Sequence, residues 1–236
     1  MALPRLRMPR IRLARPRLWL VFAAVVLAIV GTIWWKQAHW TPDVADYPLQ
    51  GAWLSDGDVK VVPALPELGA RFVYVTASLG AKGQNADFSA TVEAARQAGL
   101  QAGAVHIYDP CRRADEQSAN FVTLVARDAD LLPPAVYLDK SGEDCPRRVR
   151  PAEVESELVV FLNQIESHAG MRAILAPSER FEEEYHFGSR AERELWLTRN
   201  WIAPGYAGRP WALWTANTDL RTGVVGGSVA WVVARP

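Results

Sequence analysis

The sequence predicts an α/β fold, an irregular, TIM-like (β/α) barrel that follows one long apolar helix near the N-terminus. Two observations in the 236-residue chain carry the barrel prediction. From residue 51 onward, strand-like and helix-like segments alternate, and several of the strand-like segments are apolar almost throughout. Such alternation favours a mainly parallel sheet, whose strands are buried on both faces. From residue 194 onward, three strand-like segments follow without an obvious helix, so we expect the C-terminal third to be helix-poor.

The N-terminal segment has a composition of its own. Residues 1–17 contain six arginines and no acidic residue, and an uncharged run of 18 residues follows from Leu18 to Trp35. A run of this length can cross the hydrocarbon core of a bilayer, and arginines on its leading side keep that side in the cytoplasm. The rest of the chain would then lie in the periplasm, held at the inner (plasma) membrane by a single span. The predicted segments are a cytoplasmic leader (1–17), a transmembrane anchor (18–36), a linker (37–50) and the barrel (51–236).

A cleaved signal peptide is the alternative interpretation of the same segment. A signal peptide usually has a shorter apolar core and ends in small residues at an Ala-x-Ala cleavage site. Here the apolar run ends in Ile33-Trp34-Trp35-Lys36-Gln37, which offers no such site. The sequence therefore favours the uncleaved anchor.

Charge and cysteine content restrict the partners of the exported part. Of the 26 basic and 26 acidic residues, residues 1–36 hold seven basic ones and no acidic one. Residues 37–236 therefore carry 19 basic and 26 acidic groups, a balance of −7. Because nucleic acid attracts basic surfaces, an acidic domain is a poor candidate for binding it. Cys111 and Cys145 lie in the exported part, where disulfides persist, so a bridge is favoured over two unpaired buried thiols.

The elements of the predicted barrel follow in chain order. Ser89 is expected to cap a helix that ends at Gly99. The clearest helix spans 151–168, with glutamates in its first turns, an apolar stripe along one face, and Gly170 after its end. The predicted strands are Gly51–Ser55, Arg71–Ser78, Gln101–Tyr108, Ala135–Asp139, Arg172–Ala176, Glu194–Arg199, Pro210–Ala216 and Ser228–Val233.

One stretch of the sequence carries most of the functional information. Leu132-Pro133-Pro134 leads into an apolar strand at 135–138, which delivers the carboxylate of Asp139 to its C-terminal end. In alternating βα chains that form barrels, the C-terminal ends of the strands hold the catalytic groups. Asp139 is therefore the candidate catalytic residue of the chain.

Several pieces of the sequence, taken in order, resemble the lysozymes of glycoside hydrolase family 25. The pieces are Gly51-x-x-x-Ser55, Phe72-Val73-Tyr74-Val75, Ala98-Gly99-Leu100, Gly103-Ala104-x-His106, Glu116 to Phe121, Leu132-Pro133-Pro134, Leu195-Trp196 and Pro210-Trp211-x-x-Trp214. The resemblance implies an irregular (β/α) barrel that cleaves peptidoglycan, and it places His106 where the family has a Tyr-His pair. It also supports the disulfide, because some bacterial members place cysteines at similar positions.

The chain departs from this family at the positions where the resemblance implies catalytic residues. Trp53 stands where the family has an aspartate, and Tyr137 and Asp139 stand where it has an Asp-x-Glu pair. Glycoside hydrolysis normally needs two acidic functions, so the pattern predicts catalytic degeneracy. The further departures are Thr76 and Leu79 in place of Lys and Glu, Thr215-Ala216 in place of Gln-Tyr, and Ala230 in place of a final Asp.

Three hypotheses about function follow from these departures. The first is an anchored pseudoenzyme that binds peptidoglycan or another cell-wall glycan through Trp53, Tyr137, His106 and Trp214. The second is a weak or altered muramidase in which Asp139 is the general acid. The third is a non-catalytic barrel that docks a protein partner. No spacing of His, Cys and carboxylate residues suggests a metal site, and we expect no cofactor.

Two sets of polar residues have structural interpretations. His106 stands alone on its strand, so a core histidine with satisfied hydrogen bonds is the more common case for such a residue. Glu182, Glu183 and Glu184 are expected to form a solvated helix face.

Overall fold

The computed structural model describes residues 16–55, 59–127, 130–224 and 226–236. The chain divides into two compact units, and the division falls between Ala38 and His39. The leader predicted at 1–17 lies almost wholly outside the described residues.

The first unit contains a single long helix, α1 (Pro16–Ala38). Its apolar stretch, Trp19–Ala38, is 20 residues long and has a mean hydropathy of 1.9. Because an α-helix rises 1.5 Å per residue, this stretch spans about 30 Å, which is the thickness of the hydrocarbon core of a bilayer. The helix is therefore long and apolar enough to span a membrane or to act as a signal sequence.

The second unit is built on a nine-stranded mixed sheet that is nearly closed into a barrel. A bridge between Leu175 and Leu195 links the two ends of the sheet. The strands are β1 (Gln50–Leu54), β2 (Phe72–Leu79), β3 (Gly83–Gln84), β4 (Gln101–Ile107), β5 (Ala135–Leu138), β6 (Ile174–Pro177), β7 (Trp196–Thr198), β8 (Leu213–Arg221) and β9 (Ser228–Ala234).

The order of the strands in the sheet is β6-β5-β4-β2-β1-β9-β8-β7, and the short β3 pairs with β2. The first five strands of this order are parallel to one another, as is β7 with β8, whereas β9 is antiparallel to both of its neighbours. Only six residues connect β8 to β9, which is too short for the crossover that a parallel pair needs. All eight predicted strands are present, and the α/β sheet with a helix-poor final third is confirmed.

Helices cover the outside of the sheet. The predicted helix at 151–168 is α4, its apolar stripe is buried, and Gly170 ends it in the left-handed conformation with φ of 72°. The helices are α2 (Phe88–Gln97), α3 (Ala114–Leu124), α4 (Pro151–Ala169), α5 (Glu179–Tyr185) and α6 (Phe187–Arg190), with 3-10 helices at Val59–Leu68 and Gly142–Asp144.

Two expectations about helices are wrong. Ser89 does not cap α2, because the helix begins one residue earlier, at Phe88. The carbonyl of Asn85 accepts a hydrogen bond from the N–H group of Phe88, and the Asn85 side chain accepts one from the N–H group of Asp87. Glu182 does not lie on a solvated face. It is buried and accepts hydrogen bonds from the backbone N–H groups of Gly188 and Ser189, which fixes the start of α6.

The core has two layers, one inside the barrel and one between the sheet and its helices. Along β2, Phe72 and Tyr74 belong to the inner layer, whereas Val73 and Val75 belong to the outer layer. Gly103 on β4 leaves the space that the Tyr74 ring occupies, because a Cβ atom at this position would overlap the ring. Large aromatic side chains therefore fill the interior, opposite small residues on the neighbouring strands.

Residues 39–49, which the sequence assigns to a linker, are packed against the barrel. The rings of Trp40 and Tyr47 lie 6.4 and 5.7 Å from the ring of Trp214 on β8. The Asn217 side chain donates a hydrogen bond of 3.0 Å to the carbonyl of Trp40. This segment covers the outer face of β8, where the described residues between β7 and β9 form no helix.

The predicted disulfide joins Cys111 to Cys145, whose Cα atoms are 5.3 Å apart. Cys111 lies in the loop between β4 and α3, and Cys145 lies in the loop between β5 and α4. The bond therefore ties together two loops at the end of the barrel where parallel strands β4 and β5 finish.

Replacing Cys111 and Cys145 together by serine should lower the free energy of unfolding by about 3–4 kcal/mol, because the bond restricts the unfolded chain across a 34-residue separation. Urea denaturation of the full-length protein in detergent measures this difference. Reductant should lower the stability of the wild type to that of the variant and leave the variant unchanged. A wild-type midpoint that reductant does not move would contradict the prediction.

Candidate functional site

The C-terminal ends of parallel strands β1, β2, β4 and β5 meet at one end of the barrel, where barrel enzymes hold their catalytic groups. Trp53 lies near the C-terminal end of β1, and its side chain packs with the residues inside the barrel. Its indole N–H donates a hydrogen bond of 3.1 Å to Thr76 Oγ1, and its ring centroid lies 5.2 Å from that of Tyr137. Trp53 is also the register partner of Ala230 on β9. Four positions at which the resemblance to the lysozymes implies departures, Trp53, Thr76, Tyr137 and Ala230, therefore lie together.

Further aromatic side chains continue this packing into the barrel. The Trp196 ring lies 5.5 Å from Trp53 and 5.0 Å from Tyr74, and its indole N–H donates to Thr215 Oγ1 at 2.8 Å. Thr215 is itself one of the departures. The space enclosed between Trp53, Tyr137 and Trp196 is too small for a ligand. The interior of the barrel below the strand ends is therefore filled with protein.

Two separate cavities flank this aromatic cluster. One, of about 720 Å³, lies between the end of β1 and the β8–β9 hairpin, and we call it the hairpin cavity. The other, of about 400 Å³, lies between the β2–β3 turn, the loop after β4 and the end of β5, and we call it the charged cavity. Trp53 lines the hairpin cavity and Tyr137 lines the charged cavity. Their packed rings form a wall between the two.

The hairpin cavity is lined mainly by hydroxyl groups, backbone and Trp53. Its hydroxyl-bearing residues are Ser55, Thr215, Thr218 and Ser228, and its charged residue among those described is Lys60. Hydroxyls both donate and accept hydrogen bonds, and an indole offers a flat apolar face. This combination suits a neutral, hydroxyl-rich ligand such as a sugar.

The charged cavity has a different chemistry. Asp139 and Asp109 line it together with Lys82, Arg112 and Lys140. Lys140 Nζ lies 2.9 Å from Asp109 Oδ1, so these two charges are already paired. Asp139 is exposed, and it therefore lacks the apolar enclosure in which glycosidases keep their general acid.

The Tyr137 hydroxyl does not act as a negatively charged group. Burial raises the pKa of the Tyr137 hydroxyl to about 12, and the neighbouring carboxylate of Asp139 adds to this rise. Tyr137 is therefore neutral at physiological pH. Its hydroxyl can form hydrogen bonds with a ligand, but it brings no negative charge to the site.

Two of the predicted contact residues lie in the core and not in a cleft. His106 is fully buried on the outer face of β4, where Nδ1 is 2.8 Å from Ser78 Oγ and Nε2 is 3.3 Å from Gln117 Oε1. Trp214 is buried on the outer face of β8 and donates to the carbonyl of Arg199. Both side chains point away from the barrel interior, because each occupies the outward position of its strand.

The structure also brings forward residues that the sequence did not single out. Asp109, Lys82 and Arg112 lie in loops that follow strands, and they share a cavity with Asp139 only because those strands are parallel neighbours. Their position in the loops after predicted strands is the feature of the sequence that could have indicated a place at this end of the barrel. Possible metal-ligand atoms of Asp109, Cys111 and Cys145 lie within 4.8 Å of one another. The disulfide uses both sulfur atoms, so these three residues do not form a metal site.

Comparison with known proteins agrees with this geometry. The model of the glycosyl hydrolases family 25 matches residues 52–218. The chain belongs to glycosyl hydrolase family 25. A search of curated proteins gave no significant match.

Several solved structures share the fold. A family 25 glycosyl hydrolase from Bacillus anthracis has a TM-score of 0.71 at 19% identity, over 84% of this chain and 93% of that one. The bacterial lysozyme from Streptomyces coelicolor has a TM-score of 0.69 at 18% identity, over 80% and 92% of the two chains. The spore cortex lytic enzyme SleM of Clostridium perfringens has a TM-score of 0.66 at 17% identity, over 83% and 69%.

Acid should destabilise this family 25 barrel through His106. Burial lowers the pKa of His106 from 6.5 to about 4, so the unfolded chain binds this proton more tightly than the folded one. The contribution of His106 to stability is therefore complete above pH 6.5 and is lost as the pH falls to 4, a change of about 3 kcal/mol. Urea denaturation at pH 7 and pH 4.5 should show a smaller pH dependence for His106→Gln than for the wild type. Equal pH dependence in both proteins would rule out this role.

Proposed function

We propose that this family 25 protein is a membrane-anchored, lysozyme-like pseudoenzyme that binds peptidoglycan on the periplasmic side without cleaving it. Family membership supports peptidoglycan as the ligand. The observation that carries the proposal is the contact of Trp53 with Thr76 and Tyr137, three substituted positions that pack together at the catalytic end of the barrel.

The absence of cleavage follows from the charges at this end of the barrel. An oxocarbenium-like transition state needs a proton donor on one side and a negative group on the other. Such electrostatic stabilisation is usually the largest contribution to catalysis. Trp53, Tyr137 and Ala230 supply no negative charge, and the aromatic pair fills the space between the two cavities. Glycan would therefore bind beside this pair and not be hydrolysed across it.

The hairpin cavity is the proposed glycan site. Its exposed hydroxyls at Thr218 and Ser228 can exchange hydrogen bonds with sugar hydroxyls, and the Trp53 ring gives an apolar face. The volume of about 720 Å³ is in the range of cavities that hold small ligands. The hydroxyl-rich lining favours sugars over charged ligands.

Full-length protein in detergent should co-sediment with insoluble peptidoglycan and release no soluble muropeptides. Removing two hydroxyls in the double variant Thr218→Val, Ser228→Ala should weaken co-sedimentation about tenfold, at roughly 0.5–1.5 kcal/mol for each hydrogen bond. Thr123→Val, on the exposed outer side of α3, is the matched control and should bind as the wild type does. Muropeptide release by the wild type that Asp139→Asn abolishes would overturn the pseudoenzyme proposal.

A weak muramidase is the second candidate, and one observation favours it. Asp139 shares the charged cavity with a second carboxylate, Asp109, so two acids are present in one space. In this candidate Asp139 is the general acid and Asp109 the second acidic group. The pairing of Asp109 with Lys140 works against it, because a neutralised carboxylate stabilises a developing cation less well.

The membrane anchor is proposed for α1 because of its length, its apolar composition and the arginines that precede it. Cell fractionation should recover the full-length protein in the inner membrane. Protease added from the periplasmic side should degrade the barrel, and protease added from the cytoplasmic side should not. Recovery of a soluble mature form that begins near residue 37 would show a cleaved signal peptide in place of the anchor.

A further inference from the structure

We propose that the charged cavity binds the peptide stem of peptidoglycan, while the glycan lies in the hairpin cavity on the other side of the Trp53–Tyr137 wall. The proposal rests on the proposed function and deepens it, because it assigns two chemically different parts of one ligand to two cavities. Peptidoglycan consists of glycan strands that carry short peptide branches with carboxylates and amino groups, so a protein that binds both parts needs two kinds of site.

The basic groups of the charged cavity are available to a ligand. Lys82 lies in the β2–β3 turn and Arg112 in the loop after β4, and both side chains are exposed. Neither forms an ion pair with any residue that the structure describes, whereas Lys140 is held by Asp109. Two unpaired cations from neighbouring loops therefore face one cavity of about 400 Å³, and they can bind a carboxylate.

The acidic groups of the same cavity decide which kind of anion fits. Asp139 is exposed and lines the same cavity as the two cations, and Asp109, which is paired with Lys140, adds a second carboxylate. Charges of the same sign repel, so these carboxylates disfavour a polyanion such as a phosphate polymer. A peptide that carries both a carboxylate and an amino group can satisfy both signs, with its carboxylate at Lys82 and Arg112 and its amino group at Asp139.

The position of the cavity places such a peptide next to the glycan. Tyr137 lines the charged cavity and Trp53 lines the hairpin cavity, and their ring centroids are only 5.2 Å apart. A sugar that contacts Trp53 therefore lies within reach of a peptide that contacts Tyr137. The disulfide between Cys111 and Cys145 fixes the loop that carries Arg112, because it ties this loop to the one that follows β5.

The test compares three probes with the full-length protein in detergent: a disaccharide-tetrapeptide muropeptide, the same disaccharide with its lactyl carboxyl group amidated in place of the peptide, and inorganic polyphosphate. Isothermal titration calorimetry should give the highest affinity for the muropeptide. Added salt should weaken this binding, as screening of ionic contacts requires. The double variant Lys82→Ala, Arg112→Ala should bind the muropeptide about tenfold more weakly, and it should bind the disaccharide as the wild type does.

Arg71→Ala is the control, because Arg71 is an exposed cation directly before β2, at the end of the barrel away from the charged cavity. It should keep the salt dependence of muropeptide binding, which the double variant should lose. Equal affinity of the wild type for muropeptide and disaccharide would overturn the peptide site and leave glycan binding intact. Tighter binding of the polyanion, lost in the double variant, would also overturn it. Binding of neither the muropeptide nor the disaccharide would overturn the proposed function itself.

Discussion

The packing of Trp53 against Tyr137 and Trp196 inside the barrel is the interaction on which the rest of the site depends. Burying an indole ring is favourable only if its N–H finds an acceptor, since an unsatisfied buried donor costs about 1–3 kcal/mol. Here Thr76 and Thr215 accept the N–H groups of Trp53 and Trp196. The threonines and the aromatic rings therefore form one hydrogen-bonded unit in the core of the barrel.

This unit changes what the end of the barrel can do. A continuous cleft would let one extended ligand pass over the strand ends, but the aromatic wall leaves two cavities with separate linings. Hydroxyls dominate one cavity and charges of both signs dominate the other. The filled space is the place where two acids would have to face each other across a glycosidic bond, which accounts for the proposed loss of hydrolysis. The two cavities that remain on either side account for the proposed retention of binding.

The sequence predicted the fold better than the site, and β2, β4 and β8 show why. Apolar runs and helical periodicity are local signals, so the eight strands and α4 could be found in them. Successive residues of a strand point to opposite faces of the sheet, and a bulge reverses this alternation for the residues that follow it. Thr76 reaches Trp53 in the interior, whereas Ser78 reaches His106 outside, because the register shifts between them. On β8, Thr215 faces inward and its neighbour Trp214 faces outward.

The packed aromatic residues restrict which acidic side chains this end of the barrel can hold. An aspartate in place of Trp53 would leave a cavity and place a charge beside Tyr137 and Trp196, where burial makes an unpaired carboxylate costly. Tyr137 would have to be replaced at the same time, because its ring fills the adjoining space. A single substitution of Trp53 or Tyr137 by aspartate would therefore lower the stability of the barrel without bringing two catalytic carboxylates together. If the catalytic residues have been replaced, as we propose, packing of this kind explains how the family fold persists.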